Sequence, residues 1–304
     1  MNVDQALVLR KMKNGREVET GPAHIEVVSA CAPKKKQVRV IAITSGKGGV
    51  GKTNITANLA YLLSQMKKKA LILDADMGLA NIDLILGLTP PYNLYHVLKG
   101  ERTLAETLIH GPGGMMILPS ASGILEMADL SRGQKLTLLD ELNTLKEDLD
   151  FMLIDTAAGI ASNVMYFNAA AKEIIVVASG ELTSLTDAYA LIKVLYQRHA
   201  KKRFRLLVNM VKTPAEAKEV YRKLSQATDH FLNLSIEYLG YVVQDEKLSD
   251  AVRQQRAMAE IYPQAPASKC LLAVAEKLCR EKPENDGNGS MQFFWEDITD
   301  RKNG

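Results

Sequence analysis

The chain has 304 residues, 47% of them apolar and 24% charged, with a net charge of +3. That length suits one large α/β domain or two small ones with a sizeable core, and so small a positive balance makes no demand for nucleic acid. Cys31, Cys270 and Cys279 form no C-x-x-C pair, which argues for reduced thiols in a cytosolic protein and against a disulfide framework or an iron–sulfur carrier. No signal peptide is visible and no apolar run approaches membrane length.

Residues 1–15 read as a short amphipathic helix, with Val3, Ala6, Leu7 and Arg10 at helical spacing and Asn2 or Asp4 as its cap. Residues 16–37 are polar, contain Gly and Pro, and end near Lys34-Lys35-Lys36, so they read as a tether. A frayed tail is the default for such a segment.

Val38 to Ile43 is short and β-branched enough to be a buried strand, and Ile55 to Leu63 carries a helical pattern. Between them lies Gly46-Lys47-Gly48-Gly49-Val50-Gly51-Lys52-Thr53-Asn54. A strand, a Gly-rich turn and a helix around G-x-x-x-x-G-K-[ST] spacing make a phosphate site: backbone N–H groups turn inward and the helix N-terminus adds positive charge. Lys52 is expected on the β/γ-phosphates and the Thr53 hydroxyl on Mg²⁺, so the chain is expected to bind a nucleoside triphosphate.

Lys47 stands directly after the first glycine, and Lys-Gly-Gly-Val-Gly-Lys-Thr resembles the deviant Walker A loop of the MinD/ParA ATPase class. The resemblance implies an α/β P-loop NTPase fold of the SIMIBI/MinD-like kind, a mostly parallel twisted sheet with helices on both faces. It also implies two ATP molecules sandwiched in a homodimer, with Lys47 of each subunit reaching the other's phosphates. An extra cation there would neutralise developing charge. Asp4-Gln5-Ala6-Leu7-Val8-Leu9-Arg10 resembles the D-Q-A-x-x-L-R motif of the FlhG (FleN/YlxH) family within that class. This second resemblance implies control of flagellar number and placement. It makes Asp4, Gln5, Ala6, Leu9 and Arg10 a docking helix that stimulates the signal-recognition-type GTPase FlhF.

The next strand, Ala70 to Asp74, runs into Asp74-Ala-Asp76-Met-Gly78, and carboxylates at that end of a parallel strand fall in the ligand crevice. The segment is similar to the switch I of the class, which implies that Asp76 orients the attacking water and Asp74 supports the Mg²⁺ shell. Helices are expected at Leu94–Leu98, Leu104–His110 and Leu125–Leu149, and a strand at Met115–Leu118. His96 and His110 have no second ligand at metal spacing and read as structural. Ser120-Ala-Ser-Gly123 resembles a family loop near the nucleotide and receives no role.

Phe151-Met-Leu-Ile-Asp155 reads as a Walker B strand whose Asp155 holds Mg²⁺ through water. Asp155 to Gly159 then resembles switch II, where Gly159 can swing with the γ-phosphate. Strands follow at Glu173–Val177, Arg205–Asn209 and Ile236–Val243, and helices at Leu182–Tyr196 and Ala267–Arg280. Asn209 matches the class residue that bonds the adenine edge. Gly180 stands where the family would carry proline, and Gln244-Asp245-Glu246 where the class has a proline-containing base loop. Basic clusters at Lys67–Lys69 and Lys201–Arg205 read as solvated helix ends, with non-specific DNA binding as the other reading.

A polar linker, residues 281–290, leads to residues 291–304, where Met291, Phe294, Trp295 and Ile298 form one apolar stripe. It resembles the membrane-targeting helix of the family. Glu296, Asp297 and Asp300 outnumber Arg301 and Lys302, so packing in a protein groove stays open beside lipid binding. The expected whole is one ATPase domain, residues 38–280, using ATP and Mg²⁺, dimerising with ATP and hydrolysing it slowly. It would be cytoplasmic, with ATP-dependent peripheral association at the membrane. A flagellar transcription regulator or motor-switch protein is a further expected partner, and specific nucleic-acid recognition is not expected. The rivals are a division-site or DNA-partition ATPase on the same fold and a metal-cluster assembly ATPase, the latter disfavoured by the lack of paired cysteines.

Overall fold

The structure, a computed structural model, describes residues 38–77, 81–124, 127, 129–145 and 148–281. The N-terminal motif (Asp4, Gln5, Ala6, Leu9, Arg10), Gly78 and the C-terminal stripe (Met291, Phe294, Trp295, Ile298) lie outside those residues.

Eight strands form one sheet in the order β3-β4-β2-β5-β1-β6-β7-β8. These are β1 (Arg39–Ser45), β2 (Ala70–Ala75), β3 (Ile109–His110), β4 (Met116–Leu118), β5 (Phe151–Ala158), β6 (Glu173–Ala178), β7 (Arg205–Val211) and β8 (Glu237–Val243). Every pair is parallel except β3 with β4. The central strands are near-continuous apolar runs because helices cover both faces. Along β1, Ile41 and Ile43 pack into one core and Val40 and Ala42 into the other, the alternation that a pleated strand requires.

The helices are α1 (Lys52–Gln65), α2 (Ile82–Ile85), α3 (Leu94–Leu98), α4 (Leu104–Thr107), α5 (Arg132–Thr144), α6 (Ser162–Ala170), α7 (Leu182–His199), α8 (Pro214–Leu232), α9 (Glu246–Arg253), α10 (Met258–Ile261) and α11 (Pro266–Arg280). On one face α1, α10 and α11 bury Leu59, Leu63, Met258 and Leu271 against the sheet. The opposite face is covered from α3 through α8, with Phe167 of α6 and Leu191 and Ile192 of α7 in its cores.

Two expected helices are shorter than their apolar pattern suggests. The run from Leu104 to His110 is helical only to Thr107, after which Ile109 and His110 pair antiparallel with Ile117 and Met116. Within the run from Leu125 to Leu149 the described residues are not one continuous helix: 129–131 and 145 are non-helical and bound the helix Arg132–Thr144. Its start is set by a reciprocal box in which Ser131 and Gln134 cap each other's backbone N–H groups. Helix α8 is not among the expected elements, although Thr213 caps the N–H of Glu216 and Pro214 occupies the first turn. Of the two histidines, His96 closes the cap of α3 with Asn93, and His110 lies on β3. Lys201, in the second basic cluster, donates to the carbonyl of Ala171 at 2.8 Å, so that residue braces the fold.

At the strands' N-terminal ends lies an ion-pair clasp. Arg39 and Arg205, 6% and 7% exposed, converge on Glu173. Arg39 pairs with it in bidentate fashion at 2.7 Å and Arg205 lies 3.4 Å away. Arg39 also donates to the carbonyl of Leu278, and Arg205 reaches Glu281 at 2.8 Å, so the end of α11 is tied to β1, β6 and β7. Removing one member of a buried pair strands the other's charge. Glu173→Ala is expected to destabilise the fold by about 3 kcal/mol in urea-unfolding curves, whereas Glu219→Ala on the exposed face of α8 leaves the midpoint unchanged.

Candidate functional site

The site gathers where β1, β5, β6 and β7 end and α1 begins. Gly51, at φ 89°, turns the chain into α1, whose first turn carries no acidic residue. The helix N-terminus is therefore left positive. Two glycines are demanded by close approach: a Cβ on Gly46 would lie 2.1 Å from the carbonyl oxygen of Asp187 in α7, and one on Gly51 would lie 2.5 Å from Asn209 Nδ2. The loop is thus wedged between α7 and the end of β7.

Within the loop, Ser45 Oγ donates to the Lys47 carbonyl at 2.7 Å, and Lys52 Nζ donates to Ser45 Oγ at 3.0 Å. Burial lowers the pKa of Lys52, with Asp155 and Asp76 opposing that shift. Gly159, at φ +90°, gives its N–H to the Ser45 carbonyl at 2.9 Å, which joins the end of β5 to the loop.

Asp74 and Asp155 are register partners on β2 and β5, each 1% exposed. Asp74 accepts the N–H groups of Asp76 (3.1 Å) and Ile82 (3.4 Å). Asp155 accepts the hydroxyls of Thr53 and of Thr56, the latter at 3.2 Å. Burial pushes Asp155 up to about 6; burial and then the neighbouring Asp155 raise Asp74 well above the carboxylate range. Two buried carboxylates that resist ionising, with the Thr53 hydroxyl beside one of them, fit a hard divalent cation of the Mg²⁺ kind. Such a cation keeps waters and shares phosphate oxygens rather than filling an all-protein cage. Among the described residues no three or more His, Cys, Asp or Glu side chains are grouped to hold a metal ion by themselves.

Asp76, two residues beyond Asp74, is half-buried. Lys47 is folded back on its own subunit, its amine 2.5 Å from Glu181 Oε2 and 3.0 Å from Thr183 Oγ1. Asn209, 4% exposed, donates its amide to the Val50 carbonyl at 2.8 Å. With Gly51, Asn54, Asn58 and Asp245 it lines a cavity of about 230 Å³ floored by Ile55 and Leu271. The Gln244–Glu246 turn on its rim is pinned by Asp245, which caps α9 through Lys247 and accepts the N–H of Ala267. Gly180 lies under α8, where a Cβ would come 3.0 Å from Glu216 Oε1.

The structure thus brings together Gly46–Asn54, Asp74, Asp76, Asp155, Gly159 and Asn209. Sequence reasoning overlooked Ser45, Glu181 and Thr183, none of which carries a motif of its own. It also passed over Ile160 and Leu182, which with Met210 follow or end β5, β6 and β7. They are 54%, 78% and 40% exposed, respectively.

Comparison with known proteins bears on the family and the fold. A family described as AAA domain matches residues 38–208. The antiactivator FleN of Pseudomonas aeruginosa is 44% identical over 259 residues, covering 85% of this chain and 92% of that one. The flagellum site-determining protein YlxH of Helicobacter pylori is 36% identical over 230 residues, 75% of this chain and 78% of that one. Among solved structures, the MinC:MinD cell division protein complex of Aquifex aeolicus matches with a TM-score of 0.65 and 29% identity, over 81% of this chain and 98% of that one. MinD of Pyrococcus horikoshii complexed with Mg-ADP matches with a TM-score of 0.65 and 25% identity, over 80% and 97%.

The two loop glycines at either extreme of crowding make a direct test of the wedge. Gly46→Ala must displace α7 or the loop and is expected to cost about 2 kcal/mol or more, read as a lowered melting temperature without nucleotide. Gly48→Ala meets nothing within 4 Å and leaves the melting temperature unchanged.

Proposed function

The chain belongs to the FlhG (FleN/YlxH) family of MinD/ParA-like P-loop ATPases, and from that membership we propose that it is a slow, ATP-dependent dimerising switch controlling flagellar number and placement. The observation that carries the dimer is the exposed apolar set Ile160, Leu182 and Met210 beside the phosphate loop. Apolar side chains around a charged crevice suit burial against a second copy, and each copy would then bring its Lys47 to the other's phosphates.

In this reading the N–H groups of Gly48 to Lys52 and the Lys52 amine hold the phosphates. Thr53, with Asp155 and Asp74, would hold Mg²⁺, which when bound neutralises charge on the β- and γ-phosphate oxygens. Asn209 lines the cavity, and with its amide nitrogen donating to Val50 its carbonyl oxygen would be the acceptor it offers a base. An acceptor so placed suits the amino group of adenine. Asp76 orients the water that attacks the γ-phosphate. Lys47 leaves Glu181 and Thr183 and crosses to the facing subunit's phosphates. The ion pair it gives up is exposed and worth at most about 1 kcal/mol, so the exchange is within reach of nucleotide binding.

Output from the switch would run through the segments at either end. Residues 1–15 carry the motif of a helix that docks on FlhF and stimulates its GTPase. A flagellar transcription regulator or motor-switch protein would be a further partner. Among the described residues no helix is long and apolar enough to cross a membrane. In this reading membrane contact would be peripheral, from the cytoplasmic side, through the apolar stripe of residues 291–304. A division-site or DNA-partition role on the same fold gives the N-terminal motif nothing to do.

Two measurements test this reading. In sizing chromatography with Mg-ATP, Asp76→Ala is expected to accumulate as a dimer and Lys47→Ala to stay monomeric; identical elution of the two removes the sandwich. In a GTPase assay with FlhF, the parent is expected to raise turnover and the Gln5→Ala, Arg10→Ala double variant to fail. Equal stimulation by both would place the docking elsewhere.

A further inference from the structure

Helix α6 starts three residues beyond Gly159 and is held differently at its two ends. Near its C-terminal end Asn168, fully buried, donates to Thr44 Oγ1 of β1 at 3.1 Å. That contact pins the helix to the strand feeding the phosphate loop. The first turn carries Asn163, 6% exposed. Its amide donates to the Met127 carbonyl at 3.0 Å and its oxygen accepts the Leu130 N–H at 3.1 Å. The same amide nitrogen lies 4.0 Å from Met77 Sδ, and Met77 directly follows Asp76. One turn on, the Tyr166 hydroxyl donates to the Lys135 carbonyl of α5 at 3.2 Å, and Lys135 Nζ lies 4.7 Å from the Tyr166 ring.

Residues 163 and 166 share a helix face, so that face clasps the residue after Asp76, the approach to α5 and the first turns of α5. The arrangement is a lever: the C-terminal end is fixed to β1, and the other end adjoins the glycine of the β5–α6 turn. We infer that Asn163 is a positioning residue that transmits the nucleotide state from Gly159 to α5. The outer face of α5, which carries Leu136 at 42% exposed, thereby becomes a surface that differs between ADP and ATP. A buried amide whose donor and acceptor are both committed cannot let its helix move without carrying its partners along. The inference rests on the ATP-switch reading and adds to it a route and an output surface that the P-loop itself does not specify.

Hydrogen exchange on the full chain tests it, comparing Mg-ADP with Mg and a non-hydrolysable ATP analogue. Both nucleotides are expected to protect residues 46–53. In the parent, residues 130–138 are expected to exchange at rates differing at least about fivefold between the two, the lower end of measured allosteric couplings. Asn163→Leu is expected to abolish that difference while the protection of 46–53 and the KM for ATP stay at parent values, a split that general destabilisation would not produce. Tyr166→Phe, which loses only the hydroxyl, is expected to shrink the difference at 135–138 and serves alone if Asn163→Leu does not fold. The inference is overturned if 130–138 exchange alike in both nucleotides while 46–53 are protected. It is equally overturned if the difference survives at parent size in the variants. Failure of either nucleotide to protect 46–53 would instead remove the ATP-site reading, and the lever with it.

Discussion

A phosphate-binding loop must keep its amides unpaired for a ligand and yet hold one shape without it. Everything around Gly46–Thr53 answers that constraint. The bracing comes from groups that do not compete for the inward-facing N–H groups. Ser45 bonds the Lys47 carbonyl, Asn209 bonds the Val50 carbonyl, Gly159 gives its N–H to the carbonyl of Ser45, and the backbone of Asp187 closes against Gly46. All three hydrogen bonds end on carbonyl oxygens of the loop or the strand before it, so its donors stay available. Preorganised dipoles of this kind act on phosphate without reorganising, and the glycines are what let α7 and β7 come close enough to supply the support.

The same logic separates the two ends of the sheet. At the strands' N-terminal ends, Arg39, Arg205, Glu173 and Glu281 neutralise one another and lock α11 in place. At the C-terminal ends Asp74 and Asp155 are buried side by side, and burial holds both pKa values up. A doubly wound sheet opens its crevice at that end, so the end that must stay rigid and the end that must respond are separated by the length of a strand.

Lys47 illustrates how the response can be cheap. Its contacts with Glu181 and Thr183 lie at the surface, where water screens an ion pair. A lysine held this weakly is kept from wandering, yet its release costs little. Lys52 is the opposite case. It is buried against Ser45 between Asp155 and Asp76, and its position is settled before any ligand arrives.

The sequence by itself determined the elements whose signal is local. The strand–loop–helix around Lys52, the carboxylates at the ends of β2 and β5, and the parallel sheet all follow from short runs whose glycine spacing or apolar period has one reading. Where helices stop was less legible: the apolar run from Leu125 to Leu149 conceals the Ser131–Gln134 cap that starts α5, and Ile109–His110 became strand because β4 offered an open edge. Only the tertiary structure decided which distant residues serve the site. Glu181 meets Lys47 across 134 positions and Asn209 meets Val50 across 159, and no periodicity records such pairings, because they are set by how helices seat on a sheet rather than by any neighbour along the chain.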